Sequence, residues 1–277
     1  MISLCKELIH NISEYLSDKE KIKLTMVSKN MGKFRNEFIY HKMVNLTNIL
    51  GLPYFDNFRF VKVDHMIYYD DTCAEYLHIT CDNFFDTMIK KFFPKFVTHL
   101  TFGNNFDQQI SCCIPPTITH LTFGQRFNCC ISDDDIPHSV THLTFGGKFN
   151  KNLYNDSIPP FVTHLTFGNC FNSIIFKRAI PPSVTHLKFG MDFNQSIKNA
   201  IPFGVIKLEF GLHFNRSIKN RIPSSVHELK FGARFKKSIK NNIPASVTKL
   251  TFGFRFSQAV RNDIPITVID LIFSDDE

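Results

Sequence analysis

Five histidines, His99, His120, His142, His164 and His186, recur at intervals of 21 or 22 residues, each followed by Leu, then Thr or Lys, then Phe. Imidazoles repeated at one phase of a periodic structure lie about 5 Å apart, close enough to share a divalent metal or to titrate together near their ordinary pKa of about 6.5. Within the histidine run no acidic or cysteine ligand shares that phase, and repeat duplication alone generates such a column. A partner-facing surface is therefore favoured over a metal centre. Beyond His186 the phase is taken by Lys207, Glu228, Lys249 and Asp270. Two residues along runs a second polar column, Thr101, Thr122, Thr144, Thr166, Lys188, Glu209, Lys230 and Thr251. The candidate target-binding set is thus His99, His120, His142, His164, His186, Thr122, Thr144, Thr166, Lys188 and Lys230. The alternative is that Thr and His are simply tolerated on an exposed strand.

Other chemistry is sparser. Lys198, Lys219 and Lys240, each within Ser-Ile-Lys-Asn, form a basic column, with Arg234 and Arg255 on another edge. Such a stripe could hold phosphates, and nucleic acid is the second class of partner it suggests. The phenylalanines are expected to point inward, so aromatic interleaving lends that reading no support. The eight cysteines, Cys5, Cys73, Cys81, Cys112, Cys113, Cys129, Cys130 and Cys170, show no CxxC spacing, and the two adjacent pairs fall at different phases. Reduced thiols are expected, with no metal and no cofactor. No phosphate loop, G-x-S-x-G or H-E-x-x-H occurs, so the chain reads as a non-enzyme.

The elements that must carry these columns are short. Phe-Gly recurs at Phe102, Phe123, Phe145, Phe167, Phe189, Phe210, Phe231 and Phe252, closing with Phe273-Ser274. A period of 21 or 22 residues means one small unit stacked many times, a solenoid rather than a single enclosed core. In His99-Leu100-Thr101-Phe102 the alternation is that of a strand, ended by Gly103. Eleven residues with a proline among them separate Phe106 from Ile118, so the return path is extended or a single helical turn. Stacking then makes two phenylalanine columns: the Phe-Gly series, and Phe106, Phe127, Phe149, Phe171, Phe193, Phe214, Phe235 and Phe256. Together they use 17 of the 31 phenylalanines as core. Asn follows the second Phe at Asn128, Asn150, Asn172, Asn194 and Asn215, where it can bond backbone between coils. Phe85-Asp86, Ile89 and Phe93-Pro94 keep the same spacing, which starts the array near Cys73.

The Phe-Asn and Ile-Pro landmarks resemble the FNIP repeat family, whose units are similar to leucine-rich repeats with Phe and Val for many leucines. The resemblance covers about two-thirds of the chain and departs at Lys236, Ser257 and Ser274.

Residues 1–45 read differently. Leu4, Leu8, Ile12 and Leu16 recur at near-helical spacing, Ser17 with Glu20 signals a capped second helix bearing Ile22, Met26 and Val27, and Phe38, Ile39 and Met43 suggest a third. Leu4-Cys5-Lys6-Glu7-Leu8-Ile9, Tyr15-Leu16 and Val27-Ser28-Lys29 resemble an F-box, with Cys5 in place of the usual Pro and no Trp. That resemblance implies docking on a Skp1-like adaptor of a cullin ubiquitin ligase through Leu4, Leu8, Ile12, Leu16 and Val27. The alternative is a helical cap over the first repeat. Residues 46–72 read as a connecting segment, with another degenerate coil as the alternative, and 73–277 as the solenoid.

The whole is expected to be an α+β repeat protein: a helical F-box-like module, then a leucine-rich-repeat-like parallel β-solenoid. The two-part order resembles proteins of large DNA viruses and amoebae, which implies a viral adaptor that recruits a protein target to a host ligase. A scaffold without a ligase link and a basic nucleic-acid-binding solenoid are the alternatives. No apolar run approaches the ~18 residues of a membrane span, and a soluble protein of the cytoplasm, or of a host cytoplasm or nucleus, is expected. Net charge is +7, but residues 177–261 hold 16 Lys/Arg against 3 Asp/Glu. Attraction to acidic partners follows.

Overall fold

A computed structural model describes residues 2–45, 48–49, 51–52, 54–63, 67–68, 77–78, 97–110, 114–253 and 263–274. The strands are β1 (Val44–Asn45), β2 (Phe60–Val63), β3 (Ile67–Tyr68), β4 (Leu77–His78), β5 (His99–Phe102), β6 (His120–Thr122), β7 (His142–Thr144), β8 (His164–Thr166), β9 (His186–Lys188), β10 (Lys207–Glu209), β11 (Glu228–Phe231), β12 (Lys249–Gly253) and β13 (Asp270–Ser274). Eleven of them form one sheet in the order β1-β2-β5 and then consecutively to β13, each neighbour pair parallel; β3 and β4 form a separate antiparallel pair. Like residues stand beside like: His99 opposite His120, Leu100 opposite Leu121, Thr101 opposite Thr122. The chain is a parallel β-solenoid.

Each coil turns at three corners, and the sequence encodes each by a different device. At the first, the second phenylalanine's N–H closes a turn on the glycine carbonyl, as Phe171 does on Gly168 at 3.2 Å. Glycine is required there by contact, not by dihedral angle: a Cβ on Gly146 would stand 1.7 Å from the carbonyl oxygen of Gly124, and one on Gly168 1.8 Å from that of Gly146. At the third, the Val N–H closes on the proline carbonyl, as Val184 does on Pro181 at 3.2 Å. Between them lies a corner the sequence reading did not foresee. Asp134, Asp156, Arg178, Asn199, Asn220 and Asn241 occupy it with φ from 52° to 67°, and Asp and Asn are the side chains best suited to left-handed backbone.

Inside, the two phenylalanine columns stack on each other and along the axis. Phe167 lies 4.1 Å from Phe171, 5.7 Å from Phe145 and 5.4 Å from Phe189, centroid to centroid, in the offset and parallel arrangements that favour aromatic pairs. The asparagines form a ladder: the Oδ1 of Asn150 accepts the Asn172 N–H at 2.9 Å, and that of Asn172 the Asn194 N–H at 2.8 Å. Only an acceptor is needed, so Asp107 can begin the ladder, accepting from Asn128 at 2.8 Å. Lys236 ends it, its N–H donating to Asn215 at 3.0 Å.

The N-terminal helices are α1 (Ile2–Glu14), α2 (Asp18–Met26) and α3 (Lys29–Gly32). Ser17 and Glu20 make the expected reciprocal cap on α2. Ile9, Leu24 and Phe34 pack against the solenoid core, while Ile22, Met26 and Val27 are exposed. Lys21 and Thr25 are the buried residues of α2, the Lys21 ammonium donating to the Ile39 carbonyl at 2.7 Å. Two expectations are corrected. Phe38 to Met43 is not a helix: a single 3₁₀ turn ends at Asn36, Tyr40 bridges to Phe58, and Phe38 and Tyr40 are both fully buried. The sheet does not begin near Cys73 either, since β1 and β2 extend it back to Val44, with Val61 opposite Leu100. Cys73, the unit at Phe85-Asp86, Ile89 and Phe93-Pro94, Cys112-Cys113, Arg255, Phe256 and Ser257 lie outside the described residues. Among the described residues no helix is long and apolar enough to cross a membrane.

Candidate recognition face

Parallel register brings the five histidines into one stack. Successive ring centroids are 4.0, 4.1, 4.2 and 4.1 Å apart from His99 to His186, with near-parallel planes. Phe60 extends the column, its ring 4.3 Å from His99. The spacing is tighter than the 5.4–5.7 Å between successive Phe102, Phe123, Phe145, Phe167 and Phe189 rings on the inner face, and each ring is also held by the residue before it. Thr119, Thr141, Thr163 and Thr185 place Oγ1 2.9–3.0 Å from the Nδ1 of the next residue, His120, His142, His164 and His186. The same hydroxyls lie 3.1–3.2 Å from the threonine carbonyl of the preceding coil. A carbonyl can only accept, so each hydroxyl spends its one proton there and must accept from Nδ1–H. The neutral imidazoles therefore carry their free lone pair on Nε2.

Burial, and after it the neighbouring imidazoles, hold His99, His120, His142 and His164 below the usual histidine pKa. Near-parallel rings have near-parallel lone pairs, which do not converge on one ion. Among the described residues no group of three or more His, Cys, Asp or Glu is placed to hold a metal.

Past β9 the same face changes character. Lys188 and Lys207 lie 3.8 and 3.1 Å from Glu209, Lys207 lies 3.7 Å from Glu228, and Lys249 lies 3.6 Å from Asp270. Stacked like charges repel across a ladder, so the sequence alternates their sign, and the carboxylate of Glu209 raises the Lys207 pKa. Beside the threonine column a groove of about 520 Å³ runs along the array, lined among others by Thr122, Thr144, Thr166, Gly124, Gly146 and Gly168. The face thus offers a neutral imidazole and hydroxyl half, a self-paired charged half, and a groove common to both.

The remaining expected sites lie elsewhere. On the helices Leu8, Ile12 and Val27 are exposed and Leu16 is half-buried just past the end of α1; the side chain of Leu4 lies outside the described set. Cys130 and Cys170 are exposed and free, whereas the half-buried Cys129 thiol is pushed up to about 11 by burial and by Asp107. Lys198, Lys219 and Lys240 are exposed on the return-path edge. The sequence reading missed Tyr154 and Phe176, which are 57% and 42% exposed and stacked 5.3 Å apart. Their signal was phase: each stands five residues after a core phenylalanine, as Lys198, Lys219 and Lys240 do.

Comparison with known proteins places this geometry. No curated protein matches the chain. Among solved structures it is similar to CroV588, described as a novel circular LRR protein, with 31% identity and a TM-score of 0.68 over 86% of this chain. It spans 39% of that protein's length. The FNIP repeat model matches residues 85–125, 110–148, 127–170, 149–192, 171–213, 214–255 and 235–276. With the motif matched in most of its coils and the coils stacked as one leucine-rich-repeat-like solenoid, the chain belongs to the FNIP repeat family.

Proposed function

We propose that this protein is a noncatalytic adaptor that holds a protein target on its histidine and threonine strand face and docks its N-terminal helices on a Skp1-like subunit of a cullin ubiquitin ligase. A stack of repeats presenting one continuous sheet face is the architecture of a protein-interaction scaffold. The observation that carries the ligase half is the two-sidedness of the helical module. Ile9, Leu24 and Phe34 pack inward on the solenoid, while Leu8, Ile12, Tyr15, Met26 and Val27 remain exposed, Leu8 at 62% and Val27 at 75%. A module serving only as a cap would need the first set and not the second. Leu8, Ile12 and Tyr15 follow one another at helical spacing, and an exposed apolar stripe of this kind suits a docking site. Such an activity places the protein in the cytoplasm or nucleus of a cell that carries the ligase.

The test is binding of purified full-length protein to a Skp1 subunit by isothermal titration calorimetry. Wild type is expected to bind at micromolar concentration or tighter, and Leu8→Asp to abolish binding with an unchanged melting temperature, since its side chain is exposed. Absence of binding by wild type would remove the ligase reading and leave the scaffold.

A further inference from the structure

The basic excess of the C-terminal half is not spread over the molecule. Residues 177–261 contain only Asp192, Glu209 and Glu228 as acids, and all three are engaged away from the return-path edge. Glu209 and Glu228 pair with lysines of the strand face, and Asp192 faces His213 at 3.5 Å. On the return-path edge Lys177, Arg178, Lys198, Arg216, Lys219, Lys236, Lys237 and Lys240 are exposed, and no carboxylate lies within ion-pair distance of any of them among the described residues. Eight basic residues without a carboxylate partner thus share one side of the solenoid, with Lys230 on the strand face and Arg234 on another edge outside that group.

That side also carries two exposed aromatics. The bridge between Leu153 and Ile175 fixes the two coils in register, so the following residues, Tyr154 and Phe176, present stacked rings to solvent. Lys198, Lys219 and Lys240 continue the same column, held at one turn geometry by Ser196, Ser217 and Ser238, whose Oγ atoms accept the lysine N–H at 3.3–3.4 Å. The 22-residue units differ from the 21-residue ones by one residue in this return loop, and the aromatics stand in two of the longer loops. This corrects the expectation that aromatics lend the basic column no support: Tyr154 and Phe176 stand exposed at its head.

We propose that this edge binds single-stranded nucleic acid, with bases stacked on Tyr154 and Phe176 and the phosphates of the following nucleotides on the lysine column. Backbone-tracking positive charge beside an exposed aromatic platform is the arrangement by which single strands are held without sequence preference. A duplex buries its bases and cannot use the rings. An anionic membrane or acidic peptide would meet the lysines but gain no stacking. Exposed Asp133, Asp134 and Asp156 border the aromatic end of the edge, where they repel phosphate and leave the phosphates to the coils that carry the lysine column.

The test is fluorescence anisotropy of the full chain with a labelled oligothymidylate of about 12 nucleotides, within single-strand site sizes, beside a duplex of equal length and phosphatidylserine vesicles. Wild type should bind the single strand at least tenfold tighter than the duplex. Lys198→Gln, Lys219→Gln and Lys240→Gln together should flatten the log–log salt slope by about 2, at about 0.7 per phosphate contact. Tyr154→Ala with Phe176→Ala should weaken single-strand binding at least tenfold and leave the salt slope unchanged. His142→Ala with His164→Ala, on the strand face, should leave the affinity unchanged, so loss of protein-target capture and loss of nucleic-acid binding separate. No single-strand binding at low salt, equal affinity for the duplex or the vesicles, or indifference to the aromatic pair in a variant with a wild-type melting temperature would overturn the proposal.

Discussion

Adjacent glycines in one coil give opposite answers to the same substitution. A Cβ on Gly146 would lie 1.7 Å from the Gly124 carbonyl oxygen, 2.5 Å from its carbon and 3.0 Å from the Phe123 oxygen, all backbone of the coil before. Ordinary contact begins near 3.4 Å, so the coils must part locally by more than an ångström. Ladder bonds on either side, Lys148 to Gln125 at 2.8 Å and Phe123 to Thr144 at 2.8 Å, cannot follow such a movement intact. Overpacking of about 1–3 kcal/mol and one or two broken backbone bonds at about 0.5–1.5 kcal/mol each put Gly146→Ala at roughly 1.5–6 kcal/mol of destabilisation. On Gly147 the Cβ would meet the Oε1 of Gln125 at 2.1 Å, the end of a flexible side chain, and no backbone closer than 3.7 Å. Gln125 is exposed and can swing away, and the unfolded chain loses entropy, so Gly147→Ala should be neutral or stabilise by up to about 1 kcal/mol. Urea denaturation followed by circular dichroism checks both. Equal midpoints for the two variants, or a stable Gly146→Ala, would refute the claim that contact between coils selects this glycine column.

The left-handed corner makes a second test. Arg178 has φ of 67° where its equivalents are Asp or Asn, so Arg178→Asn should raise stability by a few tenths to about 1 kcal/mol, read as a higher denaturation midpoint. The histidine stack makes a third. His99, His120, His142 and His164 have lowered pKa values when folded, so below about pH 6.5 the unfolded chain binds more protons than the folded one. Stability is fully present above that pH and is lost as pH falls through the depressed folded values. The melting temperature should drop on acidification from pH 7 to 5, and drop less in His120→Thr with His164→Thr; parallel curves for variant and wild type would refute the assignment.

Much of this molecule could be read from its period, because a repeat displays the role of each residue many times over. Phe102 and Phe106 are placed in the core by their recurrence, and the Asn150 ladder and the turn at Pro181 follow from the same phase argument. What escaped was whatever depends on the third dimension of the stack. Gly168 reads as a strand end, and only the 1.8 Å approach to Gly146 shows why no other residue fits. The left-handed corner was encoded by Asn199, Asn220 and Asn241, yet unequal loop lengths shift that position relative to the preceding phenylalanine and hide the column. Phe38, Ile39 and Met43 suggest a helix by spacing, although Phe38 and Tyr40, two apart and both buried, fit the extended pattern equally. Where no repeat averages the signal, a short apolar run carries too little of it.

In-register stacking imposes a rule that explains where partners can bind. A column seen by water must either repeat a neutral residue or alternate in sign, since identical charges one coil apart oppose each other directly. The strand face obeys it twice, with His and Thr from β5 to β8, then Lys188, Glu209 and Lys230 beside Lys207, Glu228, Lys249 and Asp270. The return-path edge breaks it: Lys198, Lys219 and Lys240 repeat one sign over three coils with no carboxylate between. These lysines stand on exposed loops, where long side chains can splay and solvent screens them, so the violation costs less than it would on the sheet. It still costs something that alternation would avoid. The face that obeys the rule suits a neutral, shape-determined protein contact; the repulsion left on the edge that breaks it would be relieved by a partner bringing its own repeated negative charge, and a phosphate backbone is such a partner.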